Sequence, residues 1–347
     1  AGTGAQPMSG AEFPEGSGRP PLLDVSDLVV KLPVEGQLRT VLDGINLTIH
    51  HGESVGLVGE SGSGKSMTAK AIDRLLPAGA QVSGSVQFNG LEVLSLNGEP
   101  LRSFRRDVAM IFQDPRAHIN PVRRIGDFMT EAAIAHNLMS RSMARERALE
   151  LLDAVGIDDG ARRLRQYPHE LSGGMLQRVM IASALLTDPR LILADEPTTA
   201  LDVTTQAEVM AILDDLRRKY EVALLFITHD LELASAVCDR TAVMYAGQIV
   251  EIRSSELLHD DPLHPYSAAL AAARPRIDAT SVRLKAIPGR PLSSFEAPTD
   301  ECSFAPRCAF AIDDCRSHRP ALAPLAGGLV RCSRADELRS KLAVADA

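Results

Sequence analysis

Eight consecutive residues, Gly59-Glu60-Ser61-Gly62-Ser63-Gly64-Lys65-Ser66, have the spacing G-x-x-x-x-G-K-S of a loop that wraps a phosphate. Glycines at three of these positions let the backbone curl until successive N–H groups point into one concavity, which suits the β- and γ-phosphates of a nucleotide. Lys65 would add a point charge there, and the Ser66 hydroxyl would ligate Mg²⁺. Gly59 to Ser66, with Met67 next on the following element, are therefore the candidate contacts for the phosphates of a nucleotide. A second pair, Asp195 and Glu196, ends the apolar run Leu191-Ile192-Leu193-Ala194. Asp195 suits Mg²⁺ held through its water shell, and Glu196 suits orienting or deprotonating an attacking water. Paired acids at a strand end also suit a solvated turn or a helix cap; the phosphate loop upstream favours the catalytic reading.

These groups need elements that hold them. Ser54 to Val58 reads as a buried strand and Met67 to Leu76 as a helix, so the loop sits where a helix N-terminus favours anions. Four apolar runs, Val55–Val58, Val108–Phe112, Leu191–Ala194 and Leu224–Ile227, each end in a polar residue, as strands of a buried parallel sheet do. Between the last two, Val209, Ile212, Leu213 and Leu216 recur at helical spacing within Thr204 to Tyr220, giving a β-α-β crossover. Leu22–Leu32, Thr40–Ile49 and Ser85–Val93 alternate as antiparallel strands. Residues 116 to 178 read as a helical insertion, with most apolar periodicity in Ala132 to Val155. Leu171-Ser172-Gly173-Gly174-Met175 precedes the helix-forming run Leu176–Leu186 and, taken alone, suits a simple N-cap.

The 347 residues are 45% hydrophobic, enough for a sizeable core and two or three structural units. The expected units are a disordered segment over 1–21, a nucleotide-binding domain over 22–270 and a C-terminal extension over 271–347. Met8 is read as the natural start, with a remnant before it. No apolar run approaches the roughly 20 residues that span a bilayer, and no signal-peptide pattern opens the chain. The expected location is the cytoplasmic side of a membrane, reached through a membrane partner. A net charge of −8 gives no electrostatic footprint for nucleic acid, which is not an expected partner.

With these motifs in order, residues 23 to about 270 resemble the nucleotide-binding subunits of ATP-binding cassette transporters, whose LSGGQ signature stands here as Leu171-Ser172-Gly173-Gly174-Met175. The resemblance implies an α/β fold of the P-loop NTPase type: a RecA-like parallel core, an antiparallel β subdomain, a helical subdomain, and here a small Cys-rich extension. It implies that Ser172, Gly173 and Gly174 bind the γ-phosphate held by an opposite subunit. It implies that Gln113, in Phe112-Gln113-Asp114-Pro115, links Mg²⁺ and the attacking water to the helical subdomain. His229 would be the switch residue on the γ-phosphate, and Thr199-Ala200-Leu201-Asp202 would cross the dimer interface. The catalytic set is then Lys65, Gln113, Glu196 and His229, with Ser66, Gln113 and Asp195 around Mg²⁺. One departure stands out: no aromatic residue lies between Phe13 and Phe88, where the family stacks adenine. Arg39 could stack through its guanidinium plane instead, or the adenine contact could be loose, which leaves base selectivity open.

His264-Pro265-Tyr266 and the proline-punctuated segment after it resemble the dipeptide and oligopeptide importer branch; a nickel or glutathione importer of that branch would look alike. The branch implies two transmembrane permease subunits as partners, a second ATPase subunit forming a heterodimer, and an extracellular substrate-binding protein acting indirectly. A soluble cassette ATPase acting on nucleic acid or ribosomes is the alternative from another class. Cys302, Cys308, Cys315 and Cys332 are spaced C-x5-C-x6-C-x16-C, which fits neither the common zinc nor the common ferredoxin spacing. Their crowding in a loop-rich segment suggests a metal staple. The branch resemblance implies a [4Fe–4S] cluster on these four; zinc and free thiols stay open. Cys238 reads as a buried small hydrophobe.

Overall fold

The computed structural model describes residues 19–199, 201–273 and 287–342. The disorder read for 1–21 therefore falls, up to residue 18, outside the described residues. Among the described residues the strands form two sheets. Strands β1 (Leu23–Val34), β2 (Gln37–Ile49), β4 (Gln81–Phe88) and β5 (Leu91–Glu92) make an antiparallel sheet in the order β2-β1-β4-β5. The other sheet runs β11-β12-β10-β9-β3-β8-β7-β6. Its parallel heart is β3 (Ser54–Val58), β6 (Val108–Ile111), β7 (Leu191–Asp195), β8 (Ala223–Thr228) and β9 (Arg240–Tyr245). Every residue of β3, β7 and β8 is buried, which is why they read as unbroken apolar runs and not as alternating ones.

One face of this sheet packs on α1 (Lys65–Ile72) and the antiparallel sheet, through Leu57, Ala69, Ile72, Leu42, Ile45 and Leu193. The opposite face carries α8 (Val203–Lys219) and the insertion between β6 and β7. That insertion holds α3 (Pro115–His118), α4 (Ile125–Ala135), α5 (Arg141–Ala154), α6 (Gly160–Arg163) and α7 (Gly173–Ala184), after α2 (Gly98–Asp107) on the way into β6. Met129, Ala133, Leu151, Leu152, Leu176 and Val179 close its core. Ser140 and Ser172 cap α5 and α7, each side chain accepting the N–H three residues on.

Two hairpins in the second half of the chain, four strands in all, went unread. β9 turns into β10 (Gln248–Ser254) through Ala246 and Gly247, both at positive φ, the backbone of a two-residue primed hairpin turn. Ala-Gly lacks the Asn-Gly or Asp-Gly signal that usually announces one. The C-terminal extension then joins the main sheet: β11 (Ala323–Leu325) and β12 (Gly328–Val330) form a hairpin, and β12 pairs antiparallel with β10 at Glu251 and Ile252. Strands of three residues, one holding Pro324, leave no periodicity to detect. The helices α9 (Leu231–Val237), α10 (Ser255–Asp260), α11 (Pro265–Ala272) and α12 (Ala335–Leu342) complete this half. The sheet thus runs on past residue 270, taking in strands of the extension expected over 271–347.

Candidate functional site

The carboxyl ends of β3, β7 and β8, together with the Gln113 loop after β6, open into one cavity of about 750 Å³. Gly59 to Gly64 form the turn between β3 and α1. Gly64 takes φ 106°, a backbone shape strained for any residue with a side chain, and a Cβ there would also have to displace the tips of Met244 (2.8 Å) and Leu42 (2.9 Å). Lys65 is buried at the start of α1, and its Nζ donates to the carbonyls of Gly59 (2.8 Å) and Glu60 (3.1 Å). Burial lowers its pKa, while the carboxylates of Glu196, Asp195 and Glu60 oppose that shift. The ammonium is thus desolvated and tied to its own loop, where an incoming phosphate would find it with little reorganisation.

Ser66 Oγ donates to Asp195 Oδ1 at 2.7 Å. Burial raises the Asp195 pKa against that hydrogen bond, so the carboxylate sits where a cation would offset its desolvation. This pair of hard oxygens fits Mg²⁺. Glu196 stands at φ 45°, a left-handed conformation uncommon for a residue with a side chain, and its N–H donates to Ile227 at 3.0 Å. Its carboxylate is the meeting point of the site. Gln113 Nε2 donates to it at 3.2 Å, Thr199 Oγ1 donates at 2.8 Å, His229 Nδ1 lies 3.6 Å away and Lys65 Nζ 3.9 Å away. Glu60, Ser61, Gly62, Gly64, Lys65, Ser66, Met67, Gln113, Glu196 and His229 all line the cavity. Gly59, Ser63 and Asp195 support it from behind.

Ser172, Gly173 and Gly174 do not line it. They start α7 on the helical insertion, with Gly174 against Thr205: a Cβ there would come 2.7 Å from that residue's methyl. Asp202 caps α8 through Thr205, accepting its N–H at 3.0 Å and its hydroxyl at 2.7 Å, so the two motifs share one small patch. Ala200 lies outside the described residues. Arg39 does not line the cavity either, and its guanidinium lies 3.9 Å from Glu35.

The C-terminal extension reaches the loop directly, which was not anticipated. Arg307, buried, donates to both oxygens of Glu60 (2.6 and 3.1 Å) and to the carbonyl of Pro288 at 2.9 Å. Tyr266 Oη accepts the N–H of Glu60 at 3.0 Å, Gly247 donates to the carbonyl of Ser63 and Ser294 to that of Gly62. His264 is wholly buried; its Nδ1 accepts the Tyr266 N–H, and burial drives its pKa down to about 3. Beneath it Glu251, buried on β10, accepts the N–H groups of Leu263 and His264 at 2.8 Å each, with burial pushing its pKa up to about 7. The motif His264-Pro265-Tyr266 was the signal for this contact. Its tyrosine touches the phosphate loop, while its histidine and proline border the cysteines.

Cys302, Cys308, Cys315 and Cys332 all line one small, largely apolar cavity with Phe304 and Phe310. Burial raises the thiol pKa of Cys302 and Cys308, and pushes that of Cys332 to about 11. Among the described residues no three His, Cys, Asp or Glu side chains form a group that would hold a metal ion. Cys238 is buried under α9, its thiol pKa raised by burial. Between the insertion and the sheet lies a second cavity of about 450 Å³, lined by Phe112, Phe128 and Met180 with Asp73, Arg105 and His136. No helix among the described residues is long and apolar enough to cross a membrane.

Residues 42–199 match the ABC transporter family, and residues 250–315 match the oligopeptide/dipeptide transporter C-terminal region. The chain is 43% identical over 312 residues to the oligopeptide transport ATP-binding protein OppD of Salmonella typhimurium, covering 90% of this chain and 93% of that protein. It is 46% identical over 322 residues to a probable peptide ABC transporter ATP-binding protein of Sinorhizobium fredii, covering 91% and 96%. Among solved structures, an ATP-binding cassette dimer in a post-hydrolysis state with ADP and phosphate superposes with a TM-score of 0.60. It shares 29% identity and covers 67% of this chain and 98% of that one.

Proposed function

The chain belongs to the ATP-binding proteins of the ABC transporter family, and from that premise we propose that its ATP hydrolysis powers import of oligopeptides through partner permeases. The observation that carries the reading is the convergence of Lys65, Gln113, Thr199 and His229 on the carboxylate of Glu196, at the mouth of a phosphate loop. The peptide substrate class is supported by the C-terminal match and by the names of the relatives.

In this reading the N–H groups of Gly62 to Ser66 and the Lys65 ammonium bind the β- and γ-phosphates. Ser66 and Asp195, with Gln113 beside them, would hold Mg²⁺, which would neutralise charge on the phosphate oxygens. Glu196 takes a proton from water as the water oxygen bonds to the γ-phosphorus, and the bond to the β-γ bridging oxygen breaks with its electron pair leaving on ADP. His229 holds a γ-phosphate oxygen. Gln113 and Thr199 fix the Glu196 carboxylate, so its oxygen need not search for the water.

Ser172, Gly173 and Gly174 stand outside the cavity of their own chain, at the N-terminus of a 12-residue helix. That favours their use on a nucleotide held by a second ATPase subunit, a different chain in the heterodimer read from the branch. The groove lined by Phe112, Phe128 and Met180 is the proposed seat for a permease, next to Gln113, which would report nucleotide state to it. The chain then sits on the cytoplasmic face of the membrane by protein contact alone. Affinity-tagged chain extracted from membranes in mild detergent is expected to retain two permease subunits and to hydrolyse ATP. Salt-sensitive retention of RNA or ribosomes in their place would overturn the transport reading.

We further propose that the four cysteines hold a [4Fe–4S] cluster. They are soft thiol ligands that line one small cavity, and the branch resemblance favours a cluster of irons there. Anaerobically purified protein should contain about four irons and four acid-labile sulfides per chain, lost in Cys302→Ser. One zinc and no sulfide would replace the cluster with a plain structural staple.

A further inference from the structure

We propose that Phe295, in the C-terminal extension, is the face on which the base of the bound nucleotide stacks. The proposal rests on the ATPase reading above and adds to it a base-binding residue that lies more than 220 positions beyond the phosphate loop. Strands β1 and β2 carry no aromatic side chain between them, and the one ring of that sheet's β4, Phe88, is buried and does not line the cavity. Val41 is what that sheet presents to the cavity. Among the described residues lining it, Phe295 is the sole phenyl ring, and at 40% exposure it is one of the few large apolar side chains among the described residues left open to solvent. A stacked base would cover it.

The ring is held and not merely adjacent. Phe295 sits in a single turn, Ser294–Glu296, whose Glu296 carboxylate accepts the Ser293 N–H at 3.1 Å and pairs with Arg290 at 2.6 and 2.9 Å. Before it, Leu292 N–H donates to Tyr245 Oη at 3.3 Å, and Ser294 N–H donates to the carbonyl of Gly62 at 3.1 Å. This last bond ties the turn to the phosphate loop itself, one residue from the ring. The apolar side chains of Val41 and Leu270 line the same cavity. An aromatic face with aliphatic neighbours accepts any flat π-system, so the site predicts stacking without strong discrimination between purines.

The chain contains no tryptophan, so Phe295→Trp introduces one fluorophore. ATP and inorganic tripolyphosphate, a base-free probe, are titrated into the full chain with Mg²⁺, for wild type, Phe295→Ala and Phe295→Trp. Phe295→Ala is expected to weaken ATP by roughly five- to a hundredfold and to leave tripolyphosphate unchanged. Phe295→Trp is expected to keep wild-type ATP affinity, with indole emission quenched by ATP and not by tripolyphosphate. ATP binding unchanged in Phe295→Ala, equal loss of both probes, or an indole indifferent to ATP would each overturn the proposal. A wild-type chain that binds neither probe would sink the nucleotide site as a whole, which is a different failure.

Discussion

Replacing Glu196 by Gln is expected to lower ATP turnover by about 10²–10⁴-fold while ATP is still bound. The amide has nearly the same shape, so it can still accept from Thr199 and Gln113 and the loop keeps its strained backbone at φ 45°. What it lacks is an oxygen able to take a proton from water. Removing the carboxylate also takes a negative charge from beside Lys65, 3.9 Å away, which leaves that ammonium more available to phosphate. Bound ATP should therefore accumulate in an assembly of two ATPase subunits, readable as a shift in size with ATP and none with ADP. Turnover undiminished in Glu196→Gln would show that another group activates the water.

The second large effect is expected at Arg307. Arg307→Met keeps an unbranched apolar stem but strands the Glu60 carboxylate beside the site of the triphosphate, and leaves Tyr245 and Pro288 without the guanidinium that joins them. Breaking one partner of a largely buried pair costs about 2–4 kcal/mol, less than a fully buried one because Glu60 is partly open. Two readouts should move together: ATP affinity, lower by about tenfold, and protease resistance of residues 287–342, lost at lower protease concentration. Adding Glu60→Gln removes the stranded charge, so ATP affinity should recover while the extension stays loose. If Arg307→Met binds ATP as wild type does, the contact between extension and loop has no bearing on the nucleotide.

The parts legible in the sequence were those in which one short stretch carries both geometry and chemistry. Val55 to Ser66 shows a buried strand, a glycine turn and a helix start in a single run, and the parallel strands are apolar because both faces are covered. Groups contributed from far apart were not legible. Nothing near Glu60 predicts Arg307, and nothing near Val41 predicts Phe295, because those pairings are made by the sheet order and by the anchors of the extension. The hairpin of β9 and β10 was missed for a local reason: Ala246 takes a positive φ, at a position where Asn or Asp would have announced the turn. Arg39 was read as a base-stacking group from chemistry alone; in the fold it turns toward Glu35.

The pairing of β12 with β10 bears on how the chain is made. Strand β10 is buried along nearly its whole length, yet its outer neighbour is encoded about 75 residues later. At roughly 5–20 residues per second, several seconds of synthesis separate the two, and in that interval an apolar edge with unpaired N–H and C=O groups stands open beside an otherwise assembled ATPase. A message that ends early, after α11, would release a chain whose nucleotide loop lacks the contacts from Ser294 and Arg307 and whose main sheet carries a sticky margin. The last strand to emerge thus works as a seal, and quality control in the cell would sort full-length from truncated chains by whether that margin is closed.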